Sequence, residues 1–195
     1  MVGTTKKPKE TIKKSNGKTK PAVKPAKKPV EQPVSAKKKA LTIILFIAIP
    51  VVLGFVSSLI SGNMTDGYGS FNQPPFAPPA WLFPVAWTAL YILMGLASYF
   101  IFACKSRTKK EKQSRYAALV LYFFQLAINF AWSPVFFGAE NYFLALIMLM
   151  VMWLMLLAVM FLIRERCMPA MWCFLPYALW CLFAMYLNIG VFLLN

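Results

Sequence analysis

The residues best equipped for chemistry in this chain are aromatic. Trp87 and Tyr91, Trp132, and Tyr177 and Trp180 recur at helical spacing, and two carboxamides, Asn129 and Asn188, fall on the same stripes. Indole and phenol faces stack on large, flat, apolar molecules, while a carboxamide orients the few polar groups such a molecule carries. The same stripes also fit aromatic core packing, and Asn129 also fits a hydrogen bond to a neighbouring helix. The sequence contains no histidine, which removes the usual general base, the usual zinc ligand and the proximal haem ligand together. GxSxG, HExxH, CxxC and phosphate-binding glycine loops are absent as well. Cys104, Cys167, Cys173 and Cys181 sit in or beside apolar runs and read as small buried hydrophobes rather than a disulfide framework.

Elements that position these side chains must be membrane helices. Of the 195 residues 59% are hydrophobic and only 14% charged, too apolar for an ordinary soluble domain. Thirteen lysines fall within residues 1–40 against Glu10 and Glu31; this Lys-, Pro- and Ala-rich tail cannot bury enough surface to fold and is expected to be disordered. Residues 41–195 form the transmembrane domain, with five apolar spans at about 41–60, 80–104, 117–137, 142–163 and 170–194, each long enough to cross about 30 Å of hydrocarbon. The fold class is an all-α membrane protein, a bundle of five transmembrane helices.

Along the first span Pro50, Gly54, Ser57 and Ser61 make a narrow small-residue stripe suited to close helix packing. A stiff loop follows, with Asp66 and the prolines Pro74, Pro75, Pro78 and Pro79, and it is placed to cover the mouth of the bundle. Pro84, Trp87, Tyr91, Gly95 and Ser98 share one face of the second span; Gln125, Asn129, Trp132 and Phe136 share one face of the third; Tyr177, Trp180, Ala184 and Asn188 share one face of the fifth. Ala127 and Ala131, on the opposite side of the third span, suit contact with a second protomer. The basic segments, the tail with 105–115 and 164–166, all fall on one side, so the N-terminus is expected in the cytoplasm. No span carries a charge near its middle, which disfavours a proton pump or cation channel.

The segments AWLFPVAWTALYILMG (80–95), QLAINFAWSPVFFG (125–138) and PYALWCLFAMYLN (176–188) resemble the translocator protein family, the tryptophan-rich sensory proteins related to the peripheral benzodiazepine receptor. The resemblance covers residues 41–195 and leaves out the tail. It implies a five-helix bundle, usually a homodimer, that binds porphyrins and in some members sterols and benzodiazepine-type ligands. On the matching motifs it places pocket tryptophans at Trp87 and Trp180, the pocket asparagine at Asn129 and the small pocket residue at Ala184. Light-driven breakdown of protoporphyrin, reported for bacterial relatives, would attach to Trp87 and Trp180 as the reactive residues. Two departures stand out: Phe76 replaces a tryptophan common in the loop, and no Lys or Arg follows Tyr186, so sterol binding is not carried over. WLFPVAW and the LLN ending resemble bacterial members, which implies the plasma membrane; in a eukaryote it would be an organelle membrane.

The expected function is therefore binding of porphyrins or similar tetrapyrroles for sequestration, transport or light-dependent degradation. The ligand set is Trp87, Tyr91, Asn129, Trp132, Tyr177, Trp180, Ala184 and Asn188, with Trp87 and Tyr91 as one wall of a slot and Trp180 and Tyr177 as the other. No metal site and no required cofactor are expected, the porphyrin being the ligand. The expected partners are membrane lipid and a second copy of the chain, with no nucleic acid. Trp81, off the inward stripe, reads as an interfacial anchor. The alternative function is a ligand-responsive regulatory or scaffold protein acting through a partner.

Overall fold

An apolar segment in hydrocarbon must satisfy its backbone hydrogen bonds within itself, which selects the helix. The computed structural model describes residues 1–3, 35–62, 68–69 and 71–195, and everything below concerns residues 35 onward. Five helices cross the bundle: α1 (Ala36–Ile60), α2 (Leu82–Ala103), α3 (Lys109–Ser133), α4 (Tyr142–Ile163) and α5 (Met168–Leu194). All five are long and apolar enough to span a membrane. A single π-helical turn, Pro134–Gly138, continues α3. The tail expected to be disordered lies, over residues 4–34, outside the described residues, as does Asp66; Ala36–Ala40, expected to belong to that tail, are helical.

The spans are largely as read, and the exceptions lie at charged ends. α3 begins eight residues before the expected position because Thr108-Lys-Lys-Glu111 starts a helix by itself. The Thr108 hydroxyl accepts from the Glu111 amide at 3.2 Å, and the Glu111 carboxylate reaches back to the Arg107 amide at 2.7 Å, a reciprocal cap of two orphan donors. The connection from α2 to α3 is thus Cys104–Thr108 rather than the whole basic stretch. Arg115, inside the first turns of α3, donates to the Cys104 carbonyl at 2.7 Å and closes the end of α2. Glu111 also pairs with Arg166 at 3.0 Å, which joins the two basic turns at one end of the bundle. We call that the basic end, and the opposite one, which carries the proline loop, the loop end. At the loop end the Asn141 side chain caps α4 by accepting from the Leu144 amide at 3.0 Å.

The helices follow a ring, α1–α2–α5–α4–α3, with the weakest join at the seam where α3 returns to α1. A large cluster built on Met94, Ile101, Tyr122, Phe174 and Tyr177 fills the middle and basic end. A smaller one, with Trp132, Phe136, Leu149 and Val191, packs α3, α4 and α5 toward the loop end. α1 is the outlier: among its residues only Pro50 and Ser57 are buried. Its small-residue stripe does pack, as expected. Ser57 Oγ–H donates to the Phe130 carbonyl at 2.6 Å across the seam, and the Tyr91 ring lies directly over Gly54. Ala127 and Ala131 line a shallow apolar groove with Ile147 and Val151 on the outside of α3 and α4.

Gly95 fixes the approach of α2 to α1. A methyl group built there would lie 2.5 Å from Ile47 Cα and 2.7 Å from the Phe46 carbonyl oxygen, and backbone cannot yield as a side chain can. Gly95→Ala is therefore expected to separate the two helices and lose about 1–3 kcal/mol of stability, the usual penalty for overpacking. Unfolding in detergent checks this, with Gly138→Ala, which meets no neighbour within 4 Å, as the control.

Candidate ligand-binding cavity

Between the aromatic faces of α2 and α5 and the wall of α1, where Gly54 and Ser58 leave space, lies a cavity of about 590 Å³ toward the loop end. Its lining comes from α1, α2, the end of α3 with its π turn, and α5. The volume lies in the range of small-molecule pockets, and the wall is mostly apolar with few polar groups.

Of the eight ligand residues expected from sequence, six line this cavity: Trp87, Tyr91, Trp132, Trp180, Ala184 and Asn188. Trp87 is the hub. Its ring centroid lies 5.5 Å from Tyr91, 6.4 Å from Trp132, 6.3 Å from Tyr177 and 6.5 Å from Trp180. The planes of Trp87 and Trp180 meet at 81°, so the two indoles form a corner rather than the parallel walls of the expected slot. Two rings that touch edge to face leave no room for a third between them. Trp132 is turned away from ligand duty at its polar end, since its indole N–H donates to the Ala145 carbonyl at 3.2 Å.

Asn129 and Tyr177 lie behind the cavity wall. The Tyr91 hydroxyl donates to Asn129 Oδ1 at 2.8 Å, Asn129 Nδ2 donates to the Tyr177 hydroxyl oxygen at 3.1 Å, and Gln125 Nε2 donates to the same oxygen. Each end of the Asn129 carboxamide thus carries a bond to a tyrosine hydroxyl, and Asn129 holds the Tyr91 ring in place. Asn188 is the contrast: it is buried, it lines the cavity, and neither of its amide atoms has a hydrogen-bond partner among the described residues.

The proline loop closes the loop end and is held at several points. Tyr186 donates to the Pro75 carbonyl at 2.6 Å, and Pro74 seats on Gly190. Asn72 and Asn195 exchange hydrogen bonds of 2.9 and 3.1 Å. Phe71 packs edge-on to Phe136 and Tyr142. Phe76 contributes no cover: it is 90% exposed and adopts a left-handed φ of 63°. Tyr68 lines the cavity instead, its hydroxyl on the Pro78 carbonyl at 3.0 Å and its ring 4.7 Å from Phe83. Trp81 is 63% exposed near this end, where an interfacial anchor belongs.

A family model described as TspO/MBR matches residues 46–194. The chain belongs to the TspO/MBR family. Among its curated relatives are the tryptophan-rich protein TspO of Chlorobaculum tepidum, 31% identical over 159 residues, which are 81% of this chain and 98% of the relative. The tryptophan-rich sensory protein of Cereibacter sphaeroides is 38% identical over 130 residues, covering 67% and 77% of the two chains. The translocator protein of Ovis aries is 35% identical over 144 residues, covering 73% and 83%. With five apolar spans and this membership, the chain is a multi-pass membrane protein.

Sequence reasoning missed the α1 wall of the TspO-family cavity, formed by Val51, Gly54, Phe55 and Ser58, together with Phe83 and Phe137. The signal was present in Gly54, which reads as a packing position and does receive the Tyr91 ring; the space that a small residue leaves also belongs to the pocket. Gln125 was placed on the right stripe, but its bond to Tyr177 depends on the relative depth of two helices.

Tyr177→Phe removes the oxygen shared by Gln125 and Asn129 and strands both donors in the core. A loss of about 1–3 kcal/mol is expected for each stranded group, and a Tyr91 ring less firmly held. Thermal unfolding should register this well above Trp180→Phe, which keeps an apolar ring in place.

Proposed function

We propose that this TspO-family protein binds porphyrins or closely related tetrapyrroles in the loop-end cavity. The observation that carries the reading is the indole corner: Trp87 and Trp180, edge to face, open onto an apolar space of about 590 Å³. A macrocycle lies flat on one indole with its edge toward the other, and Ala184, one turn beyond Trp180, leaves room for it. Asn188, with donor and acceptor both uncommitted, is the polar contact for a carboxyl or lactam edge. Tyr91, locked by Asn129, holds the remaining aromatic face. Binding of this kind serves sequestration or transport. It also serves degradation under light: an excited porphyrin takes an electron from the contacting indole and passes it to dioxygen, the indole radical cation regains its electron from the macrocycle, and the superoxide formed adds to the oxidised macrocycle, so that dioxygen is the net oxidant and the indole is restored. The bacterial wording of WLFPVAW supports assignment to the plasma membrane.

The test is a protoporphyrin titration of purified protein in the dark, then under illumination with mass analysis of the pigment. Tryptophan fluorescence should fall saturably, and the double change Trp87→Phe with Trp180→Phe should weaken binding by about 1–3 kcal/mol, the scale of one lost aromatic contact or two. Unchanged quenching and unchanged pigment loss in the double variant would remove the site assignment.

A second reading, a ligand-responsive regulator, draws on the name of the Cereibacter sphaeroides relative, a sensory protein, and on the lysine-rich tail that lies outside the family match. Deletion of residues 1–34 separates the two. A binder retains its porphyrin affinity and complements a deletion strain, whereas a tail-dependent regulator retains affinity and fails to complement.

A further inference from the structure

Among the described residues, one side of the cavity wall is left open. Phe55 and Leu59 on α1 and Thr88 and Pro84 on α2 line the cavity and are at the same time exposed, Phe55 at 64% and Leu59 at 66%. All four lie in helices long and apolar enough to span a membrane, so in a bilayer this side faces lipid. The opposite boundary is different in kind: the proline loop is held to the end of α5 by the Tyr186–Pro75 and Asn72–Asn195 hydrogen bonds and by Pro74 on Gly190.

We infer that ligands reach this cavity from the bilayer, through a lateral portal between the loop-end halves of α1 and α2, with the loop-end half of α1 as its gate. The inference rests on the cavity being a binding site and adds the route into it. α1 is built for the part. At its basic-end half, Gly95 of α2 lets the backbone at Phe46 and Ile47 approach so closely that the two helices cannot slide. Pro50 follows, buried inside α1, and its missing N–H removes one rung of the helix ladder, so bending is cheap there. Beyond Pro50 the helix is held chiefly by Ser57 on the Phe130 carbonyl and by the Tyr91 ring on Gly54. A pivot, a hinge and a single-hydrogen-bond catch therefore follow one another along one helix. A flat apolar ligand partitions into lipid before it meets the protein, and this opening faces the phase in which it is dissolved.

The experiment measures protoporphyrin dimethyl ester moving from preloaded phosphatidylcholine vesicles into protein reconstituted in the same lipid, followed by tryptophan quenching. Leu59→Phe with Thr88→Phe narrows the portal without adding an indole; association and dissociation should both slow by about tenfold while Kd shifts far less, as expected for a barrier on the path. Ser57→Ala, which releases the catch, should speed both rates. Tyr186→Phe with Asn195→Ala, which frees the loop, should leave them unchanged. Unaltered rates in the narrowed and released variants with Kd intact, or faster entry on freeing the loop, overturn the portal and leave the binding site standing. No saturable quenching in the parent protein overturns both.

Discussion

Three of the five helices are locked together by a chain of side-chain hydrogen bonds in the middle of the bundle, and the cavity depends on it. Tyr91 on α2, Asn129 and Gln125 on α3, and Tyr177 on α5 hold one another inside the bundle. In hydrocarbon, apolar surfaces gain little by meeting one another, because lipid tails are equally apolar. Polar contacts and close fit must then choose the arrangement. This network chooses which faces of α2, α3 and α5 meet, and in doing so it sets Trp87 and Trp180 at their angle. An apolar substitute for Asn129 would break the link from α3 to Tyr91 on α2 and leave Gln125 as the carboxamide that still holds Tyr177 on α5.

The bundle is asymmetric along its length. Its basic end is filled by interleaved large and small side chains and tied at the surface by Glu111 to Arg166 and by Arg115 on the Cys104 carbonyl. The loop end carries the larger rings, and rings that meet edge to face cannot fill space as densely as branched aliphatics do. The cavity is the residue of that choice. α1 completes its wall while burying only Pro50 and Ser57 of its own residues.

How much of this was legible in the sequence follows from the physics of each feature. The five spans could be read because hydrocarbon allows no alternative to a continuous helix. The family resemblance, carried by the Trp87, Asn129 and Trp180 segments, agrees with the match over residues 46–194. The inward stripes bring six of the eight expected residues to the lining of one cavity. Periodicity gives the direction of a side chain from its own axis but not its depth relative to another helix. Asn129 and Tyr177 therefore share the inward stripes yet stand behind the cavity wall, and the stripes do not give the angle at which Trp87 and Trp180 meet. The early start of α3 was missed for a different reason: its Lys and Glu residues suggested a loop, yet Thr108 and Glu111 form a helix cap whose chemistry does not depend on burial.

The clasp between Asn72 and Asn195 joins residues 123 positions apart in the chain. During synthesis α1, α2 and the proline loop leave the ribosome long before α5, and with them comes half of the indole corner. Until α5 has entered the membrane the loop has neither Tyr186 nor Gly190 to rest on, and Trp87 has no Trp180 beside it. The cover and the site it covers are therefore completed by the same late event. Before that event Trp87 can meet Tyr91 and Trp132, which precede α5 in the chain, but not the ring that completes its corner.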